Sequence, residues 1–226
     1  MEQPKNNFKI VSEKKARMIL PNAITLIGVC IGLTSIKFAL DGKFAIAIIA
    51  ILFAGLMDAL DGRIARLIKG TSKIGKELDS LGDVISFGVA PAFIMYFWNL
   101  QYLDKLGWFV CLMYVVCVAL RLARFNVNSE EESSWKDNFF EGVPAPAGGI
   151  VVLMPLVLSF SGLGEIFFKI NYDLVVPVFF IIVSILLIST IPTYSFKRIV
   201  IPRAMTKFLL FGIVLFFGAL LVYTFK

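Results

Sequence analysis

Long apolar runs broken by short polar ones dominate the chain. Seven of these runs lie near the ~20 residues that a helix needs to cross the hydrocarbon of a bilayer. They cover roughly 21–40, 44–66, 75–98, 107–124, 144–161, 174–192 and 204–225. The pattern predicts an all-α, polytopic membrane helical bundle of about seven transmembrane helices, with six or eight also compatible. The fifth run, opening on Pro144, Pro146, Gly148 and Gly149, carries the most helix-breaking residues. Residues 1–20 differ from the rest, interspersing Lys5, Lys9, Lys14, Lys15 and Arg17 with Phe8, Ile10, Val11, Met18 and Ile19. They predict a basic, amphipathic N-terminal segment lying on an anionic leaflet, or a solvated tail. The run that follows is long and has no small-residue cleavage site, which argues against a signal peptide. Residues 21–226 read as one membrane domain without internal repeats.

Composition sharpens this picture. Hydrophobic residues make up 58% of the 226, and the net charge is +6. In such a chain a basic excess reads first as topology. With the N-terminus inside, seventeen of the 22 Lys and Arg fall in residues 1–20 and in the stretches Arg63–Lys76, Arg121–Lys136 and Lys197–Lys207. Lys37, Lys43, Lys105, Lys169 and Lys226 are left for the outer side. Seven spans would put the C-terminus outside, and an even count would return it inside. No basic stripe interleaves with aromatics on a soluble face, so nucleic acid is excluded as a partner. Cys30, Cys111 and Cys117 fall in apolar runs without metal or redox spacing and read as small core residues.

The stretch from Asp58 to Asp83, DALDGRIARLIKGTSKIGKELDSLGD, breaks the pattern. Asp58 and Asp61 lie three apart and Asp79 and Asp83 four apart, spacings that put each pair on one helix face. The first pair would end the second span and the second pair begin the third, with a short Gly-, Ser-, Thr- and Lys-containing loop between them. A charged side chain at mid-bilayer costs about 2.5–3.5 kcal/mol on insertion scales. Four such acids therefore require a hydrated pocket near the membrane surface and a counter-charge. The chain has no histidine, and a hard divalent cation with oxygen ligands is the obvious candidate.

The spacing D-x2-D-G-x2-A-R-x8-G-x3-D-x3-D is met at Asp58, Asp61, Gly62, Ala65, Arg66, Gly75, Asp79 and Asp83. It resembles the signature of the CDP-alcohol phosphatidyltransferases, membrane enzymes that build phospholipid head groups. The resemblance implies two divalent ions, Mg2+ or Mn2+. One would be held by Asp58, Asp61 and Asp79, the other by Asp58, Asp79 and Asp83. It further implies that Asp83 is the base that deprotonates the acceptor hydroxyl. Gly62, Arg66 and Ser72 would contact the CDP portion of the lipid donor. Gly75 reads as a second close approach to the nucleotide, while Asn22 and Thr25, one turn apart in the first span, would also reach it. Each has a plainer reading beside this one. The glycines and Ala65 suit helix packing, Arg66 a snorkelling interface arginine, Ser72 or Thr71 a helix cap, and Asn22 and Thr25 a helix start after Pro21.

Three further stretches, DSLGDVISFGVAPA (79–92), RLARFN (121–126) and FEGVPAPA (140–147), are similar to integral-membrane phosphatidylserine synthases. That resemblance covers roughly residues 20–160. It implies transfer of a phosphatidyl group from CDP-diacylglycerol to L-serine with release of CMP. It also implies a homodimer in membrane lipid, and the loop asymmetry above puts the acidic face on the cytoplasmic side, as in a bacterial inner-membrane enzyme. A zwitterionic acceptor needs a cation for its carboxylate. Arg121 and Arg124, three apart at the cytoplasmic end of the fourth span with Asn126 just beyond, are the candidates; positive-inside anchoring is the alternative. The acidic loop 128–141 reads as solvated. Rival readings are the same chemistry on glycerol 3-phosphate or an inositol phosphate, and a cation transporter. A transporter sits poorly with acids confined to one half of the chain.

Overall fold

The computed structural model describes residues 13–68, 72–128, 139–141, 143–161, 171–189 and 192–194. The seventh predicted span (204–225), most of the N-terminal segment (1–12) and most of the acidic loop (129–138) lie outside the described residues.

Helices follow the apolar runs. They are α1 (Glu13–Leu40), α2 (Phe44–Leu67), α3 (Lys73–Asp83), α4 (Ala90–Trp98) and α5 (Asp104–Asn128), then α6 (Ala145–Val152), α7 (Met154–Ser161) and α8 (Tyr172–Ile188). A π-helical turn, Val84–Val89, joins α3 to α4, and a 3-10 turn, Leu100–Leu103, joins α4 to α5. Among the described residues, four stretches are long and apolar enough to cross a membrane: Ile19–Leu40, Phe44–Leu67, Lys73–Trp98 and Leu100–Val127. The protein is therefore an integral membrane protein built as a helical bundle. Large apolar side chains such as Leu26, Leu33, Phe53, Leu112, Val116 and Leu120 stand exposed on these helices, as a lipid-facing surface requires.

The described residues depart from expectation at four places. The first helix does not begin after Pro21; α1 starts at Glu13 and carries Pro21 inside it, a position that membrane helices tolerate. The fifth run is not one helix. It breaks at Leu153 between α6 and α7, two residues before Pro155, which has no N–H to continue the α-helical ladder. The sixth ends at Ile188, because Ser189 turns extended and the chain enters a strand. That strand, β2 (Pro192–Tyr194), pairs antiparallel with β1 (Phe139–Glu141) in register Phe139↔Tyr194. A strand pair was not foreseen in an all-α reading.

The third span is the centre of the bundle: half of its most apolar window is buried, against 22% for the first. Its π turn explains why. Pro91 has no N–H to give to Phe87, four residues back. The buried Tyr114 hydroxyl on α5 donates to the Phe87 carbonyl instead, at 2.8 Å. Neighbouring helices close on the turn through small residues. A Cβ on Gly32 of α1 would come within 2.6 Å of Ser86 Oγ, and one on Gly149 of α6 within 2.9 Å of Phe87 Cβ. Tyr114 also stacks edge-on against Phe180 of α8, with ring centroids 5.3 Å apart. The π turn, one residue past Asp83, thus sets the depth and rotation at which α3 presents its acids.

Tyr114→Phe is expected to cost about 1–3 kcal/mol by leaving a buried carbonyl without its donor. This would appear as a lower unfolding temperature in detergent. Tyr102→Phe, at an exposed site, should leave that temperature where it is. An equal temperature for both variants would refute the role given to Tyr114.

Candidate active site

The four aspartates come from two helices. Asp58 and Asp61 lie in the last turns of α2, and Asp79 and Asp83 in the second half of α3. Ligand oxygens of Asp58, Asp61 and Asp79 all lie within 4.8 Å of one another. Asp83 stands beside Asp58, within reach of side-chain hydrogen bonding, and its Oδ1 is buried without a partner. All four line one cleft together with Thr25, Gly28, Gly82, Ser86 and Phe87. Carboxylates held this close repel one another strongly. The donor set is all hard oxygen, and an oxygen of Asp83 stands unsatisfied beside it. Such a set fits a divalent cation.

Local sequence accounts for the convergence. Ser72 adopts an extended conformation and accepts a hydrogen bond from Gly75 N at 3.0 Å, starting α3. The Ser72 hydroxyl therefore caps a helix, and its own O–H remains a donor. Gly75 then lets α3 approach α1, since a Cβ there would meet Asn22 Oδ1 at 2.9 Å. Asn22 packs at this junction. Thr25, one turn further along α1, donates to Asp61 Oδ2 at 2.6 Å. Gly62 behaves differently from Gly75: it is exposed, and nothing lies within 4 Å of where its Cβ would be. Arg66 is exposed as well, and its Nε returns to Gly62 O at 2.9 Å.

Three candidates on α5 part company. Arg121 faces the acids and interacts electrostatically with Asp83, and its Nε is buried without a hydrogen-bond partner. Arg124 points elsewhere and donates from Nη1 to the carbonyl of Ile188, the last residue of α8, at 2.9 Å. Asn126 exchanges hydrogen bonds with Ser80 of α3, Nδ2 to Oγ at 2.9 Å, and its backbone carbonyl accepts from Lys76 Nζ at 3.5 Å. These contacts clamp α5 to α3 and α8 around the site. Ser86, Gly28 and Gly82 were missed as cleft residues. The signal was a small residue on each helix face carrying a candidate, Gly28 one turn past Thr25 and Gly82 beside Asp83.

A family model described as CDP-alcohol phosphatidyltransferase matches residues 18–177. The chain is 40% identical over 189 residues to a Mycobacterium tuberculosis protein named CDP-diacylglycerol–serine O-phosphatidyltransferase, covering 81% of this chain and 64% of the relative. A Helicobacter pylori protein of that name is 34% identical over 181 residues, covering 80% and 74%. A Methanocaldococcus jannaschii protein, also of that name, is 34% identical over 176 residues, covering 77% and 74%. The chain thus spans just under two thirds of the length of the mycobacterial relatives it matches.

The two motif glycines predict opposite outcomes. Gly62→Ala meets open space and should hold or raise the unfolding temperature, because alanine favours the helix by about 0.5–1 kcal/mol. Gly75→Ala must displace the Asn22 amide oxygen and crowd the Ser72 hydroxyl, 3.1 Å from the new Cβ, and loss of that cap should lower it, costing about 0.5–2 kcal/mol. A stable Gly75→Ala variant would show that the α1–α3 junction yields freely.

Proposed function

The chain belongs to the CDP-alcohol phosphatidyltransferase family, and from that premise we propose that it transfers the phosphatidyl group of CDP-diacylglycerol to L-serine, releasing CMP. The observation that carries this reading is the convergence of Asp58, Asp61 and Asp79 within 4.8 Å, with Asp83 alongside and Arg121 facing it. The name shared by relatives from bacteria and an archaeon supports serine as the acceptor.

Asp58, Asp61, Asp79 and Asp83 would hold divalent cations, Mg2+ or Mn2+ and two in number. Such ions would neutralise the diphosphate and the charge growing on the departing CMP oxygen. The side chains divide the remaining work. Asp83 accepts the proton of the serine hydroxyl. The serine oxygen bonds to the β-phosphorus as the bond from that phosphorus to the CMP oxygen breaks. Arg121 holds the serine carboxylate, fixing the hydroxyl near Asp83, and Arg124 anchors the end of α8 with Asn126 bracing α3 from α5. A phosphorylated acceptor would call for more cationic groups than Arg121 supplies. The open backbone at Gly62, together with Arg66 and Ser72, would form the side from which the CDP portion approaches, while Gly75 and Asn22 close the junction of α1 and α3 beside it.

The basic excess near the acidic ends of α2 and α3 supports a site at the cytoplasmic leaflet of a bacterial inner membrane. The same reading takes residues 21–226 as one membrane domain of about seven spans, entered through a basic interfacial segment at residues 1–20. We also propose a homodimer surrounded by membrane lipid.

Purified protein with CDP-diacylglycerol and Mn2+ or Mg2+ should release CMP with serine, and not with glycerol 3-phosphate or an inositol phosphate. A reversed preference would overturn the acceptor. Asp79→Asn should lower turnover by at least about 10²-fold, beyond the 10–100-fold typical of losing an outer-shell partner. Arg121→Lys loses bidentate geometry and should raise the KM for serine about tenfold, with the KM for CDP-diacylglycerol unmoved. Equal changes in both constants would remove Arg121 from the serine pocket.

A further inference from the structure

The resemblance that brought Thr25 forward points it at the nucleotide, but its geometry points it at an acid. We propose that Thr25 is a positioning residue, whose hydroxyl orients the Asp61 carboxylate for divalent-cation binding. The proposal rests on the metal-holding role read for the aspartates above.

Asp61 is the most buried of the four acids, 3% exposed, and its Oδ2 accepts from Thr25 Oγ1 at 2.6 Å. A short bond from a hydroxyl to a carboxylate is charge-assisted and directional. Together with a backbone hydrogen bond from Gly62, it fixes the plane in which the carboxylate would meet a cation. Carboxylates that ligate metals are in turn commonly held by such outer partners.

Two features set the Thr25 side chain in place. Its methyl packs on α3, where a Cβ on Gly82 would lie 3.5 Å from Thr25 Cγ2. Its hydroxyl also lies 3.1 Å from Pro21 O, one turn back along α1. A hydroxyl has one proton, so Thr25 gives it either to its own helix or to Asp61. The methyl contact with Gly82 keeps it within reach of both. The link spans 36 residues of sequence and joins α1 to the acidic end of α2. A threonine facing solvent or nucleotide alone would need neither the carboxylate contact nor a glycine opposite its methyl.

The test is Mn2+ binding to the purified full-length protein in detergent, without nucleotide, read from the free Mn2+ signal in electron paramagnetic resonance. Thr25→Val keeps the shape and removes the hydroxyl, and should weaken Mn2+ binding ten- to a hundredfold. Thr25→Ser keeps the hydroxyl and should stay within about threefold of the parent. Should Thr25→Val fail to fold, Thr25→Ala carries the same expectation. Asp79→Asn serves as the reference for loss of a ligand. Unchanged Mn2+ affinity in Thr25→Val beside a clear loss in Asp79→Asn would overturn the positioning role and leave the metal reading standing. Weakened binding of CDP by Thr25→Val, with Mn2+ affinity intact, would return Thr25 to the nucleotide. Unchanged affinity in every variant would sink the metal reading and this proposal with it.

Discussion

Mutual repulsion among carboxylates in an apolar bundle is the constraint on which the rest of the structure turns. Two unit charges 4.8 Å apart repel by about 3–4 kcal/mol at an effective dielectric constant near 20. Three such pairs reach about 10 kcal/mol, comparable with the whole stability of a typical domain. Asp58, Asp61 and Asp79 can therefore stay together as carboxylates only where positive charge is supplied and the helices carrying them cannot spread. Among the described residues Arg121 interacts with Asp83, and one such cation is too little positive charge for four acids.

Resistance to spreading comes from the third span and its neighbours. The π turn after Asp83 is held by backbone-to-backbone approach at Gly32 and Gly149 and by the Tyr114 hydroxyl on Phe87 O. Helices in lipid gain little from apolar contact with one another, so close packing and interhelical hydrogen bonds must do this work. The same logic repeats nearer the surface, at the Gly75–Asn22 approach, the Ser80–Asn126 exchange and the Arg124–Ile188 bond. Seen this way, many polar residues outside the acidic quartet act as fastenings, and few face the cleft.

The acidic quartet was legible in the sequence because i, i+3 and i, i+4 spacing is a property of one helix at a time. The four long spans were legible because length and hydropathy are also local. What escaped depends on contacts between elements. Arg121 and Arg124 lie on one face of α5 by spacing, yet one meets Asp83 and the other the end of α8. No periodicity distinguishes them. Pro21 reads as a helix start, but α1 runs through it. The β1–β2 pair joins residues some fifty positions apart and leaves no short-range trace. The π turn had a visible cause in Pro91. Its compensation by Tyr114, 27 residues from Phe87, did not.

The two motif glycines show how far a spacing rule reaches. Gly62 and Gly75 carry equal weight in the motif, and either could serve ligand or packing. The structure separates them by what surrounds the missing Cβ: open space at Gly62, the Asn22 side chain at Gly75. A glycine in an exposed helix turn is a cost of about 0.5–1 kcal/mol that packing does not offset. At Gly62 the proposed function gives that cost a use, since the CDP portion would approach the backbone there. Gly75 needs no such visitor, because α1 already occupies the place. On the proposed function, the approach to the acids lies over the end of α2 on the Gly62 and Arg66 side, where α1 does not pack.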